Sequence, residues 1–168
     1  GSRQPWAGRL APMAHVLEPI EDSFLHTAPL IIRSTVALPN SPEQVWEALG
    51  SDEMWSWFPA IDNLKWITPP GEAGCVRELR IGRFITVEEE FYRWEPNVRS
   101  TFRVTKASHK AIKALAEDFL LDERADGGTT LTWTMAVRPA GPKPPAFLAG
   151  LLKPGNKHAI GGIKKILP

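Results

Sequence analysis

The chain lacks most of what would make a chemistry obvious. It has a single cysteine, Cys75, so no disulfide can form within it, which fits a reducing compartment. Its four histidines, His15, His26, His109 and His158, lie far apart with no ligand spacing. A metal needs three or four ligands held together, so no metal site is expected. No apolar run approaches the roughly 18 residues of a membrane span. Arg3, Pro5, Arg9, Pro12 and His15 interrupt any signal-peptide core, and the expected location is cytoplasmic. A net charge of +1 gives no electrostatic footprint for nucleic acid. There is no Gly-x-Ser-x-Gly elbow, and Cys75, beside Val76 with no adjacent base implied, reads as a small core residue. Gly155 to Gly162 with Lys157 fails the phosphate-loop spacing. No cofactor is expected.

What is present is aromatic. The 168 residues include seven tryptophans against one tyrosine, and Trp46, Trp55, Trp57 and Trp66 cluster in one stretch. Tryptophan offers a large apolar surface with one N–H donor, which suits either a core or the wall of a pocket. From Gly141 to Pro168 there are five lysines, Lys143, Lys153, Lys157, Lys164 and Lys165, and no acid.

Gly1-Ser2 reads as a tag remnant and residues 1–29 as an N-terminal arm, within which Met13, Val16, Leu17 and Ile20 suit a short helical turn. Residues 30–168 read as one domain. Leu30 to Leu38 is a β-branched first strand. Ser41 is placed to cap a helix, with Pro42 and Glu43 in its first turn. Gly50 ends that helix, and Ser51-Asp52-Glu53 opens a second through Met54, Trp55, Trp57 and Phe58. Six further extended segments follow: Ile61 to Thr68, Cys75 to Ile81, Phe84 to Trp94, Val98 to Thr105, Leu115 to Asp122 and Thr130 to Val137. Tight turns are expected at Gly82-Arg83 and Ala125-Asp126-Gly127-Gly128. The alternation predicts an antiparallel sheet with one apolar face and one polar, solvated face. Ala146 to Leu152 and Lys157 to Leu167 have helical patterns, with Pro154-Gly155 kinking or splitting them.

Several of these segments resemble one family. Val36-Ala37-Leu38-Pro39-Asn40-Ser41-Pro42-Glu43-Gln44-Val45-Trp46 is similar to the opening strand and "Ser-Pro-x-x-Val-Trp" helix start of the SRPBCC superfamily. That superfamily includes polyketide cyclases, START lipid-transfer domains and birch-pollen-allergen-like proteins. Gly74-Cys75-Val76-Arg77-Glu78-Leu79 is similar to its "Gly-x-Val-Arg-x-Leu" strand. Glu89-Glu90-Phe91, Trp94-Glu95-Pro96 and Gly128-Thr129-Thr130-Leu131-Thr132-Trp133 resemble later strands and turns. The resemblance spans about residues 30 to 167. It implies an α+β helix-grip fold: a seven-stranded curved antiparallel sheet around a C-terminal helix, with two short helices between the first and second strands. It also implies a cavity between sheet and helix.

Within such a cavity the polar candidates are Arg77, sharing a strand face with Cys75, Leu79 and Ile81, and Glu89, sharing one with Val87 and Phe91. A buried guanidinium needs a partner, and Glu89 on the adjoining strand is the natural one. Facing inward, the pair can orient a ligand or act as a general acid–base set; facing outward, it is an ordinary surface ion pair. The apolar candidates are Phe102, Val104, Phe119, Leu121, Trp133 and Met135 from the sheet, Phe147 and Leu151 from the tail, and Trp55 and Trp57 guarding an edge. Glu88 and Glu90 read as solvated, neutralised across strands by Arg80, Arg99 and Arg103. No constellation demands catalysis. The first expectation is therefore a carrier or sensor for an apolar small molecule, the second a polyketide cyclase/dehydrase-type enzyme using Arg77 and Glu89, and the third a chaperone-activator-like interaction module. The basic tail adds a weak contact with anionic membranes as a further reading.

Overall fold

A computed structural model describes residues 13–143 and 157–168. Eight strands form one antiparallel sheet. They are β1 (His15–Val16), β2 (Leu30–Leu38), β3 (Ile61–Trp66), β4 (Val76–Ile81), β5 (Ile85–Glu95), β6 (Arg99–Ala107), β7 (Ile112–Glu123) and β8 (Thr129–Pro139). The order across the sheet is β2-β8-β7-β6-β5-β4-β3, with β1 added on β6. Among the described residues the helices are short: α1 (Phe24–Thr27), α2 (Pro42–Leu49) and α3 (Lys157–Gly161), which continues as a 3-10 turn through Lys165. The sheet curves into a half-barrel whose concave side carries the main core.

Local sequence explains the framework. The Ser41 hydroxyl accepts from the Gln44 N–H at 3.3 Å, and the Gln44 side chain accepts from the Ser41 N–H at 3.1 Å. This reciprocal cap, with Pro42 behind it, fixes the start of α2 and stabilises it by about 1 kcal/mol. Val45, Ala48 and Leu49 then bury one face of the helix. The β4–β5 connection places Gly82 at φ 60° and Arg83 at φ 69°, and Asp126 accepts from the Gly128 N–H at 2.9 Å in the β7–β8 turn. Nine consecutive pairs, from Leu30↔Val137 to Leu38↔Thr129, lock β2 to β8.

Two expectations about the elements need correction, and one feature of the register is not legible in the sequence. Residues 52–57 form successive turns rather than a second helix. Trp55 sits at φ 70°, a left-handed conformation that a helix cannot contain and that a bulky residue adopts only when its surroundings hold it there. The predicted helical turn around Met13 to Ile20 is instead β1 and an extended lead-in to α1. The register between β6 and β7 runs only from Arg99↔Leu120 to Arg103↔Ala116. Beyond it β1 pairs with Lys106 and Ala107, and the next two residues donate to the carbonyls of Thr105 and Lys113, so the arm satisfies backbone groups left where two strands diverge.

Nor is the convex face wholly polar. Ala114, Ala116 and Ala136 make a small flat patch there, and Phe24 and Leu25 of α1 bury it with Ile20, Ala28 and Ile31 around them. Beside it Asp22 pairs with Arg93 at 2.7 Å and accepts from the Tyr92 hydroxyl at 2.9 Å. Burial opposes ionisation of Asp22, but hydrogen bonds from Arg93 and Tyr92 prevail and hold its carboxyl below the usual range. Arg99 and Arg80 do not neutralise Glu88 and Glu90: they pair with Asp118 and Asp62. Arg103 does reach Glu90, at 3.3 Å, while Glu88 accepts from the Thr105 hydroxyl at 2.8 Å.

Candidate functional site

The concave face carries a polar row across its middle. Arg77 on β4 lies opposite Glu89 on β5, Glu89 opposite Val104 on β6, and Glu117 on β7 lies between Phe102 and Met135. Because side chains alternate with period two, each of these residues points inward with its apolar neighbours.

Arg77 and Glu89 form a buried ion pair, Nε to Oε1 at 2.7 Å, with side chains 1% and 3% exposed. The rings of Trp66, Phe91 and Phe102 surround the guanidinium, with centroids 5.3, 5.0 and 5.2 Å from Cζ. Desolvated cation–π contacts of this kind are worth about 2 kcal/mol, which offsets part of the cost of burying the charge. Nη2 of Arg77 has no hydrogen-bond partner among the described residues. Arg77 also borders a narrow crevice of about 10 Å³ that Trp46, Trp94, Ser100 and Phe119 line. Burial pushes the Glu89 carboxyl up against the opposing pull of Arg77.

Glu117 accepts a hydrogen bond from Trp133 Nε1 at 2.7 Å. Burial first, then the nearby Glu89, raises its pKa to about 8, so at neutral pH it is mostly a carboxylic acid. Sequence reasoning misses Glu117, though the signal is there. With Leu115, Phe119 and Leu121 inward, the residue between them in the same register must face inward too.

Glu89 and Glu117 both open onto a cavity of about 40 Å³, taken as the space reached by the centre of a water-sized sphere. Its wall is otherwise apolar: Trp55, Ile61, Leu79, Ile81, Val87, Val104, Ile112, Leu115, Trp133 and Met135. One ordered water needs roughly 10–15 Å³, so the space exceeds a single water yet is far below the few hundred Å³ of a drug-sized pocket.

Of the candidate residues, Trp55, Glu89, Val104, Trp133 and Met135 line this cavity. Arg77 and Phe119 lie on the adjacent crevice. Phe102 is packed solid between Phe91 and Phe119, with centroids at 4.9 and 6.3 Å. Trp55 is no edge guard: it is 3% exposed and packs against Trp133 at 5.1 Å. Trp57 donates to the Ala159 carbonyl at 2.7 Å and lines a separate open cleft with His158, Lys164 and Lys165, not the concave cavity. There its indole occupies the space that a Cβ on Gly162 would need, which makes glycine necessary for α3 to close on the turns. Ala159, Ile160 and Ile163 bury that closing face. Phe147, Leu151 and Pro154-Gly155 fall outside the described residues. Among the described residues, no helix is long and apolar enough to cross a membrane.

The family model described as polyketide cyclase / dehydrase and lipid transport matches residues 29–167. The chain belongs to this family. Relatives from Mycobacterium tuberculosis and Mycobacterium bovis, both named only as uncharacterized proteins, are 41% identical over 127 residues, covering 74% of this chain and 75% of theirs. Solved structures share the fold at low identity. Ara h 8.0201 has a TM-score of 0.62 at 15% identity, over 81% of this chain and 95% of that one. Ginseng major latex-like protein 151 from Panax ginseng has 0.60 at 14%, over 80% and 92%. A START superfamily protein from Mycobacterium smegmatis has 0.57 at 14%, over 80% and 89%. The half-barrel with few short helices is thus the helix-grip arrangement of this family.

Proposed function

We propose that the chain binds a small, mainly apolar molecule in the concave cavity, as a carrier or sensor in the cytoplasm. One observation carries this reading: the cavity wall is aliphatic and aromatic except where two carboxyls open onto it. Unfilled space costs packing energy, and buried carboxyls cost desolvation, so a core selected for stability alone has little reason to keep both. The size of the space favours a guest of a few heavy atoms; an acyl chain would require wall side chains such as Trp55 to move. Trp55 is held in a left-handed backbone conformation at this wall, and strain of this kind gathers at sites that rearrange.

Native mass spectrometry of protein taken from its own cells tests the reading. Near one-to-one retention of a small apolar compound is the expected result; protein that carries nothing and takes up no small apolar probe overturns it. The two carboxyls also favour a second reading, an enzyme of the polyketide cyclase/dehydrase type with Arg77 and Glu89 as its acid–base set. Glu89→Gln separates the two. A carrier holds the same compound with and without the substitution, whereas an enzyme accumulates an unconverted compound that differs in mass when water is lost and in chromatographic retention when the ring closes without losing water.

A further inference from the structure

Glu89 and Glu117 open onto one cavity from strands two places apart, and among the described residues only one cation, Arg77, is buried with them. That cation is committed, its Nε on Glu89 Oε1 at 2.7 Å and its face enclosed by three rings. Two carboxylates and one guanidinium would leave a net negative charge in an apolar enclosure, which is far more costly than a neutral set. Arg77 in contact keeps the charge on Glu89, so the proton belongs to Glu117. The Trp133 indole occupies one Glu117 oxygen as an acceptor and brings no positive charge. A neutral carboxyl also has one O–H to donate. No described residue accepts from Glu117, and the group opens onto the cavity.

We propose that the cavity selects a small apolar molecule with one hydrogen-bond acceptor, such as a ketone, ester or ether oxygen, which accepts from the Glu117 carboxylic acid. This rests on the cavity being a binding site, and it names what Glu117 adds: discrimination against plain hydrocarbon. A hydrocarbon guest would bury the O–H unpaired, while an oxygen-bearing guest satisfies it. An amine would do the reverse, binding to ionised Glu117 beside the Trp133 ring. The pKa of about 8 agrees with the neutral assignment and sets the pH range in which it fails.

The test uses the full chain and three probes of similar size: cyclopentanone, methylcyclopentane and cyclopentylamine. Binding is followed by the NMR shift of the Trp133 indole N–H at pH 6.5 and pH 9. The expected result is cyclopentanone bound about tenfold or more tightly than methylcyclopentane at pH 6.5, with the advantage shrinking several-fold at pH 9 as Glu117 ionises. Glu117→Gln keeps an N–H donor, so it should preserve the preference and remove its pH dependence; Glu117→Leu should abolish the preference. Equal or tighter binding of the hydrocarbon overturns the inference and leaves the binding reading intact. So does preference for the amine already at pH 6.5, which would mean that Glu117 is ionised there. Binding of none of the three overturns both.

Discussion

Glu117 and Asp118 are neighbours on β7, yet they live in different chemistry. Asp118 points to the convex face, where Arg99 Nε at 2.8 Å and the Thr101 hydroxyl at 2.7 Å donate to it and Arg93 lies 3.9 Å away. Glu117 points to the concave face and receives one hydrogen bond, from a neutral indole. Both are buried acids, 5% and 8% exposed, so burial alone does not set them apart. The partners do. The convex cluster is compensated charge by charge and is roofed by the arm through Asp22, which is what a structural network looks like. Among the described residues the concave cluster sets two acids against one cation beside an apolar cavity, an arrangement that favours a proton on Glu117 over a second carboxylate. Strand alternation lets one segment serve both purposes.

Substitutions on each face should break this contrast in a definite order. The largest effect belongs to Arg77→Met, which leaves Glu89 buried without its cation and should cost about 3–5 kcal/mol in urea unfolding. A loss under about 1 kcal/mol would mean that the pair is solvated rather than buried. Next is Leu25→Ala, which empties the α1 contact on the convex alanine patch and should cost about 2–3 kcal/mol. No loss there would mean that the arm adds nothing to the fold. Gly162→Ala drives a methyl into the Trp57 indole and should cost about 1–3 kcal/mol, with altered Trp fluorescence as the local readout. The smallest is Asp22→Asn, under about 1 kcal/mol, because Asp22 is half-exposed. The sign there is fixed by the lowered carboxyl: its contribution is present above its unfolded pKa and vanishes as pH falls through the folded value. A difference from wild type that widened in acid would contradict that pairing.

Much of the framework is legible in the sequence because it is local. Ser41-Pro42-Glu43 announces α2, Asp126-Gly127-Gly128 announces the last hairpin, and the alternation from Thr130 to Val137 announces β8. The companions Leu79 and Val87 make an inward Arg77 and Glu89 possible, but the sequence leaves an outward ion pair equally open, and only the structure buries the two side chains. What is not local is harder to read. The turns at 52–57 contain good helix formers, but tertiary packing of Trp55 against Trp133 overrides that propensity. The arm's place depends on where β6 and β7 part company, which no property of residues 13–29 reports. Glu117 is legible by parity, but its significance is not, because a neutral carboxyl requires knowing that Trp133 rather than an arginine meets it.

The most direct test is the titration of Glu117 itself, followed by carboxyl ¹³C NMR in the full chain and assigned by its disappearance in Glu117→Gln. A carboxyl raised in the fold stabilises it fully below its unfolded value near 4.5 and loses that contribution as pH rises through about 8. The signal should therefore titrate near 8, and wild-type stability should decline relative to Glu117→Gln across that window. A midpoint near 4.5, with no such decline, would contradict a neutral acid in an apolar cavity and the selectivity built on it.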